Sequence, residues 1–138
     1  MQVLRRRVPQ VAIAGLAVAA ALSGCSLVDA ITPPVKAAIY TTAAEAKASD
    51  ASVPVPAWVP DDATMIRIKT NTKTGDTIMQ FTAASQLIGG ACDATMAERL
   101  PPMQDTWWHQ TLPTPENISC FENWHIFVLN GEFNAWTP

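Results

Sequence analysis

The chain has 138 residues, with nine basic and twelve acidic side chains and a formal net charge of −3, which excludes the basic footprint of a nucleic-acid-binding protein. Its hydrophobic content is 49%, but no apolar run after residue 24 approaches the about 20 residues needed to cross a bilayer as a helix. The length suits one small domain rather than several.

The first segment is a secretory signal in form. A basic block, Arg5, Arg6 and Arg7, precedes an uncharged stretch from Val8 to Ser23, whose most apolar part, Val11 to Leu22, is too short to span a membrane core. It ends in Leu22-Ser23-Gly24-Cys25. These four residues resemble the lipobox of bacterial lipoproteins, Leu-(Ala/Ser)-(Gly/Ala)-Cys, at every position. The resemblance covers residues 1–25. It implies transfer of diacylglycerol to the Cys25 thiol and cleavage before Cys25, so that the membrane is a partner through the lipid. Two acyl chains hold stably where one is marginal. The arginine pair also suggests a twin-arginine signal, but Pro9 stands where that motif takes an apolar residue, so general secretion is expected. Removing residues 1–24 takes away three basic and no acidic residues, which leaves a mature net charge of −6. That argues against nucleic acid and against a polybasic membrane patch.

With Cys25 assigned to lipid, Cys92 and Cys120 remain of the three cysteines. An even pair in an exported protein reads as one disulfide, and closing the loop between them would contribute roughly 3.5 kcal/mol.

Residues 25–56, rich in Ala, Thr, Ser, Pro and Val, read as a lipidated flexible tether with a marginal Ala-rich helix from Val35 to Ala48. Val53-Pro54-Val55-Pro56 and Trp58-Val59-Pro60 should be extended. Such a tether would hold the domain roughly 30 Å from the lipid on average.

The globular domain is expected over 57–138. Alternation from Ala63 to Thr70 and from Thr77 to Ala84, around the turn residues Lys73-Thr74-Gly75-Asp76, predicts a first hairpin with Ile68 opposite Phe81, Thr70 opposite Met79 and Ile66 opposite Ala83. Asn130-Gly131 is the favoured type I′ pair and predicts a second hairpin of Trp124–Leu129 with Glu132–Thr137. Its register sets Val128 opposite Phe133, Ile126 opposite Ala135 and Trp124 opposite Thr137 on an apolar face. Between the hairpins Asp93 can cap a helix reaching about Leu100, where Pro101-Pro102 stop it. The expected fold is therefore α+β: two antiparallel β-hairpins in one four-stranded sheet, a short helix and one disulfide.

Five tryptophans are many for a domain of this size. The second face of hairpin two carries His125 opposite Trp136, Phe127 opposite Asn134 and Leu129 opposite Glu132. Left uncovered, His125, Phe127, Asn134 and Trp136 with the loop Trp107, Trp108 and His109 would make an aromatic platform for a ligand or partner. Covered by the helix, by that loop or by the Trp58 segment, they are a second core layer. Trp124, on the apolar face, belongs to the core. His109 and His125 with Asp105 or Glu122 lack metal-site spacing, and Arg67 and Lys69 suit either a solvated β face or an anionic partner. No metal or other cofactor is implied. Catalytic motifs such as G-x-S-x-G, H-E-x-x-H or a phosphate-binding glycine loop are absent.

Trp58-Val59-Pro60-Asp61-Asp62-Ala63-Thr64, the run Ile66-Arg67-Ile68-Lys69-Thr70 and the ending Ala135-Trp136-Thr137-Pro138 resemble small uncharacterised lipoproteins of actinobacteria over residues 58–138. That resemblance implies an address only, the outer face of the cytoplasmic membrane. The functional expectation is a lipid-anchored extracytoplasmic binding or interaction module without catalysis. The alternative is a structural or accessory subunit of an envelope transporter or cell-wall enzyme complex.

Overall fold

The computed structural model describes residues 34–49, 52–87, 89–93 and 99–138. The signal segment with Cys25, and most of the helix expected from Asp93 to Leu100, lie outside the described residues.

One antiparallel sheet of seven strands organises the rest: β1 (Val35–Thr42), β2 (Thr64–Asn71), β3 (Thr77–Thr82), β4 (Gly90–Ala91), β5 (Ser119–Phe121), β6 (Trp124–Leu129) and β7 (Glu132–Thr137). Their order across the sheet is β1-β2-β3-β7-β6-β5-β4. The two expected hairpins are its middle, joined where β3 pairs with β7 and Ile78 lies opposite Trp136. The sheet is larger than the expected four strands because β1 adds to one edge and the short β5 and β4 to the other.

Hairpin β6–β7 forms in the expected register, with Ile126 opposite Ala135 and Val128 opposite Phe133. Its turn residues Asn130 and Gly131 have φ of 54° and 83°, the left-handed pair that type I′ requires. Hairpin β2–β3 keeps the expected faces but not the expected register. Ile68 lies opposite Met79 and Thr70 opposite Thr77, because the loop is Thr72–Gly75, closed by a hydrogen bond from Asn71 N–H to the Asp76 carbonyl at 2.8 Å. A shift of two leaves side-chain parity intact. Nearer Thr64 the ladder slips at a bulge that contains Met65, with φ 54°.

The main correction concerns the tether. Residues 35–48 are not a flexible linker: β1 pairs with β2 along its length, from Val35 opposite Asn71 to Thr42 opposite Thr64. The helix α1 (Ala43–Ala48) follows directly. Its start has a physical cause in Thr42-x-x-Glu45. The Thr42 hydroxyl accepts from Glu45 N–H at 3.2 Å, and the Glu45 carboxylate accepts from Thr41 N–H at 2.7 Å, a variant of the capping box. Tyr40, Ala43 and Ala46 are buried, and the Tyr40 hydroxyl reaches the Val53 carbonyl. Lys47 pairs with Asp61 and ties α1 to the chain that returns towards β2.

Both faces of the middle strands of the sheet are covered. On the first, Ile66, Ile68, Met79, Phe81, Phe133, Ala135, Trp124 and Ile126 meet α1 and the 52–63 segment through Val53, Val59 and Ala63. Trp58 lies here, edge-on to Trp124 with ring centres 5.4 Å apart. On the second face Ile78, Phe127 and Trp136 pack under Trp108 and Ile118, with Met103, Trp107 and Leu112 at the margin. That second cover is an irregular strap, residues 99–118.

Candidate functional site

The strapped face gathers the residues that the sequence marks as a surface. β6 and β7 place His125 beside Trp136 and Phe127 beside Asn134. His125 stacks on Trp136 with ring centres 4.7 Å apart, and Trp108 meets Phe127 and Trp136 edge-on at 6.1 and 6.3 Å. Trp136, His125 and Asn134 are 0% exposed and Phe127 2%. The expectation of an open aromatic platform at His125, Phe127, Asn134 and Trp136 is therefore corrected: these residues are the second core layer. Trp108 is buried as its lid, while Trp107 and His109 are half-buried at the rim. The physical reason is that a strand buried on both faces needs a cover on each, and the strap supplies it where the sequence shows no helical or alternating period.

Three ties hold the strap. The Trp136 indole Nε1–H donates to the Arg99 carbonyl at 3.1 Å. Lys69 Nζ donates to the Gln104 carbonyl at 2.8 Å and to the Asp105 carboxylate at 3.0 Å. Cys92 and Cys120 form the expected disulfide, with Cα atoms 4.9 Å apart, which fastens the strap's two ends beside β5. Lys69 is thus a clamp and not an open cation. Its hydrogen bond holds the Asp105 carboxyl below the usual carboxylate range, against the opposing pull of burial. The sign follows: a depressed carboxylate stabilises the fold above its unfolded pKa of about 4, and that contribution is lost as pH falls through the lower folded value. Of the three ties, this is the one that protonation weakens.

A polar row crosses the same face at the rim. Arg67 donates to the Gln80 side-chain carbonyl at 3.2 Å, and the Gln80 amide donates to Glu132 and to Asn134, each at 3.2 Å. His109 Nε2 lies 3.8 Å from the Glu132 carboxylate. Sequence reading singles out Asn134 and Arg67 but misses Gln80, the buried residue that links them. The signal for it is a lone polar side chain inside the Ile78–Phe81 run. Among the described residues this row joins amides, a guanidinium, an imidazole and a carboxylate, with no hydroxyl or thiol in it to act as nucleophile. Through Gln80 it satisfies buried polar atoms between β2, β3 and β7.

Metal binding has one geometric candidate among the described residues: Cys92, Cys120 and His125, with donor atoms within 4.8 Å of one another. The disulfide consumes both thiols, so the oxidised protein offers no thiolate there. Neither Asp105 nor Glu122 belongs to that cluster. Asp105 is engaged by Lys69, and Glu122 sits in the β5–β6 turn with φ 53°.

Another concavity, about 310 Å³, lies beside the outer edge of β6 where β5 has ended, between Leu87, Pro113, Asn117, Val128 and Phe133. It contains none of the seven residues of the expected surface except Phe127.

No protein-family model matches the chain, and neither a curated protein nor a solved structure matches it.

Proposed function

We propose that the protein is a lipid-anchored, extracytoplasmic interaction module without catalysis, held at the membrane by diacylglycerol on Cys25. The observation that carries this reading is the register of Arg5–Arg7, the apolar Val11–Leu22 and Leu22-Ser23-Gly24-Cys25. The Cys92–Cys120 disulfide supports it, since such bonds persist in oxidising compartments. With Cys25 as the first mature residue, the chain from there to Pro34 reaches about 30 Å even at full extension. The folded unit then works close to the lipid surface rather than on a long leash. The resemblance to small actinobacterial lipoproteins points to the outer face of the cytoplasmic membrane as the address.

Burial of the aromatic face favours the accessory role over small-ligand capture. With the hairpin platform covered, the surfaces left for recognition are strand edges and the rim of the strap, which suit protein contacts in a transporter or wall-enzyme assembly. The test of the anchor is a Cys25→Ser substitution in the full precursor. Wild type should fractionate with membranes and carry the mass of a lipidated chain beginning at Cys25, whereas the variant should lose both properties. A variant processed and retained like wild type would end this reading.

A further inference from the structure

The two ends of the sheet are not alike. One ends in β4, only Gly90–Ala91, a short edge of the kind that discourages pairing. The other ends in β1, eight residues long, with no Pro and one charge, Lys36. The direction of its backbone groups follows from the ladder. Thr72 N–H donates to the Pro34 carbonyl at 2.7 Å, and hydrogen-bonded pairs alternate along an antiparallel ladder. Lys36, Ala38 and Tyr40 therefore turn their N–H and C=O groups towards β2, and Val35, Ala37, Ile39 and Thr41 turn theirs outward. Among the described residues nothing pairs with that edge except at one point: the Glu45 carboxylate takes Thr41 N–H. The open stretch is thus Val35 to Ile39. On the strap side of the sheet its side chains are apolar and uncovered, with Val35 39% and Ile39 71% exposed.

We propose that this edge pairs with the same edge of a second copy, antiparallel and centred on Ala37. About a two-fold axis, Ala37 faces Ala37 of the second copy, and Val35 faces Ile39 in both directions. Each facing pair uses the outward N–H and C=O groups of both chains. The register is the one that satisfies Val35, Ala37 and Ile39 without calling on Thr41 N–H. A register moved by one step, with Val35 facing Thr41, would need the N–H that Glu45 already holds. Charge agrees: Lys36 faces Ala38 of the second copy, so no like charges meet. The interface is self-complementary, as a two-fold contact requires, and it covers Ile39 with Val35.

Such a contact is small, and its population rests on the proposed lipid anchor to concentrate copies on one surface. The test uses the full chain in the membranes that carry it. Cys25 is committed to lipid and Cys92 to Cys120, so an Ala37→Cys substitution adds the one free thiol of the mature chain. Mild oxidation should shift it to a species of twice the monomer mass. Thr41→Cys, whose two positions lie far apart in this register, should stay monomeric. Adding Ile39→Pro to Ala37→Cys removes an outward donor without touching the bonds to β2, so it should abolish the dimer and leave the chain as protease-resistant as its parent. An Ala37→Cys protein that is membrane-bound yet stays monomeric overturns the pairing, as does equal cross-linking of the Ala37 and Thr41 variants. If the protein is not found with membranes, the anchor fails separately, and absence of the Ala37 cross-link in concentrated released protein then overturns the pairing as well.

Discussion

Truncating Trp136 to alanine is expected to cost about 3–5 kcal/mol of folding free energy, a fall in melting temperature of roughly 12–25 °C for a domain near one hundred residues. Trp136 is 0% exposed and is the hub of the strapped face. It stacks on His125, meets Trp108 and Phe127 edge-on, and holds the Arg99 carbonyl through its indole N–H. Alanine would leave a cavity under the strap and an unpaired carbonyl at its start. Thermal denaturation followed by circular dichroism checks this. A loss of less than about 1 kcal/mol, the usual range of a surface change, would mean that the strap does not pack on the sheet.

Opening the Cys92–Cys120 disulfide should be nearly as costly, roughly 3.5 kcal/mol on the loop-entropy model for a bond that joins residues 28 apart. The loop it closes contains the strap, so the effect should be local as well as global. Without the bond, Trp108 loses its fixed seat over Phe127 and its fluorescence should shift to the red. The Cys92→Ala, Cys120→Ala double variant, melted beside the parent with and without reductant, separates loss of the bond from any effect of the reductant. Identical melting of parent and double variant would show that the strap stands without its staple.

The parts of this fold legible in the sequence were those with local causes. Asn130-Gly131 dictated both the turn and the register of β6–β7, because two left-handed residues in succession leave one hairpin geometry. For β2–β3 the alternation specified the faces, but a four-residue loop can slide by one position at each end and move the register by two without moving any side chain off its face. The disulfide followed from counting cysteines once Cys25 was set aside. What stayed hidden depended on distant partners. β1 is Ala- and Thr-rich, and its one large buried side chain, Tyr40, finds its place through pairing with β2. The capping signature Thr42-x-x-Glu45 was present but marked a helix of only one or two turns. The strap has no period at all. It is placed by single anchors, Trp108, Leu112 and Ile118, and by ties to Lys69 and Trp136. For that reason the aromatic face could be read as a platform or as a core layer from sequence, and the fold decides for the core layer.

The placement of β1 carries most of the consequences: it makes residues 35–42 part of the sheet, and it creates the open edge and, under the proposed Cys25 anchor, a short link to the lipid. Amide hydrogen exchange across residues 34–48 of the full chain tests it most directly. The amides of Lys36, Ala38 and Tyr40, which point into β2, should exchange far more slowly than those of an unstructured peptide and at rates comparable to neighbouring amides of β2. Exchange of the whole 34–48 stretch at the unstructured rate would contradict the seven-stranded sheet and restore the tether.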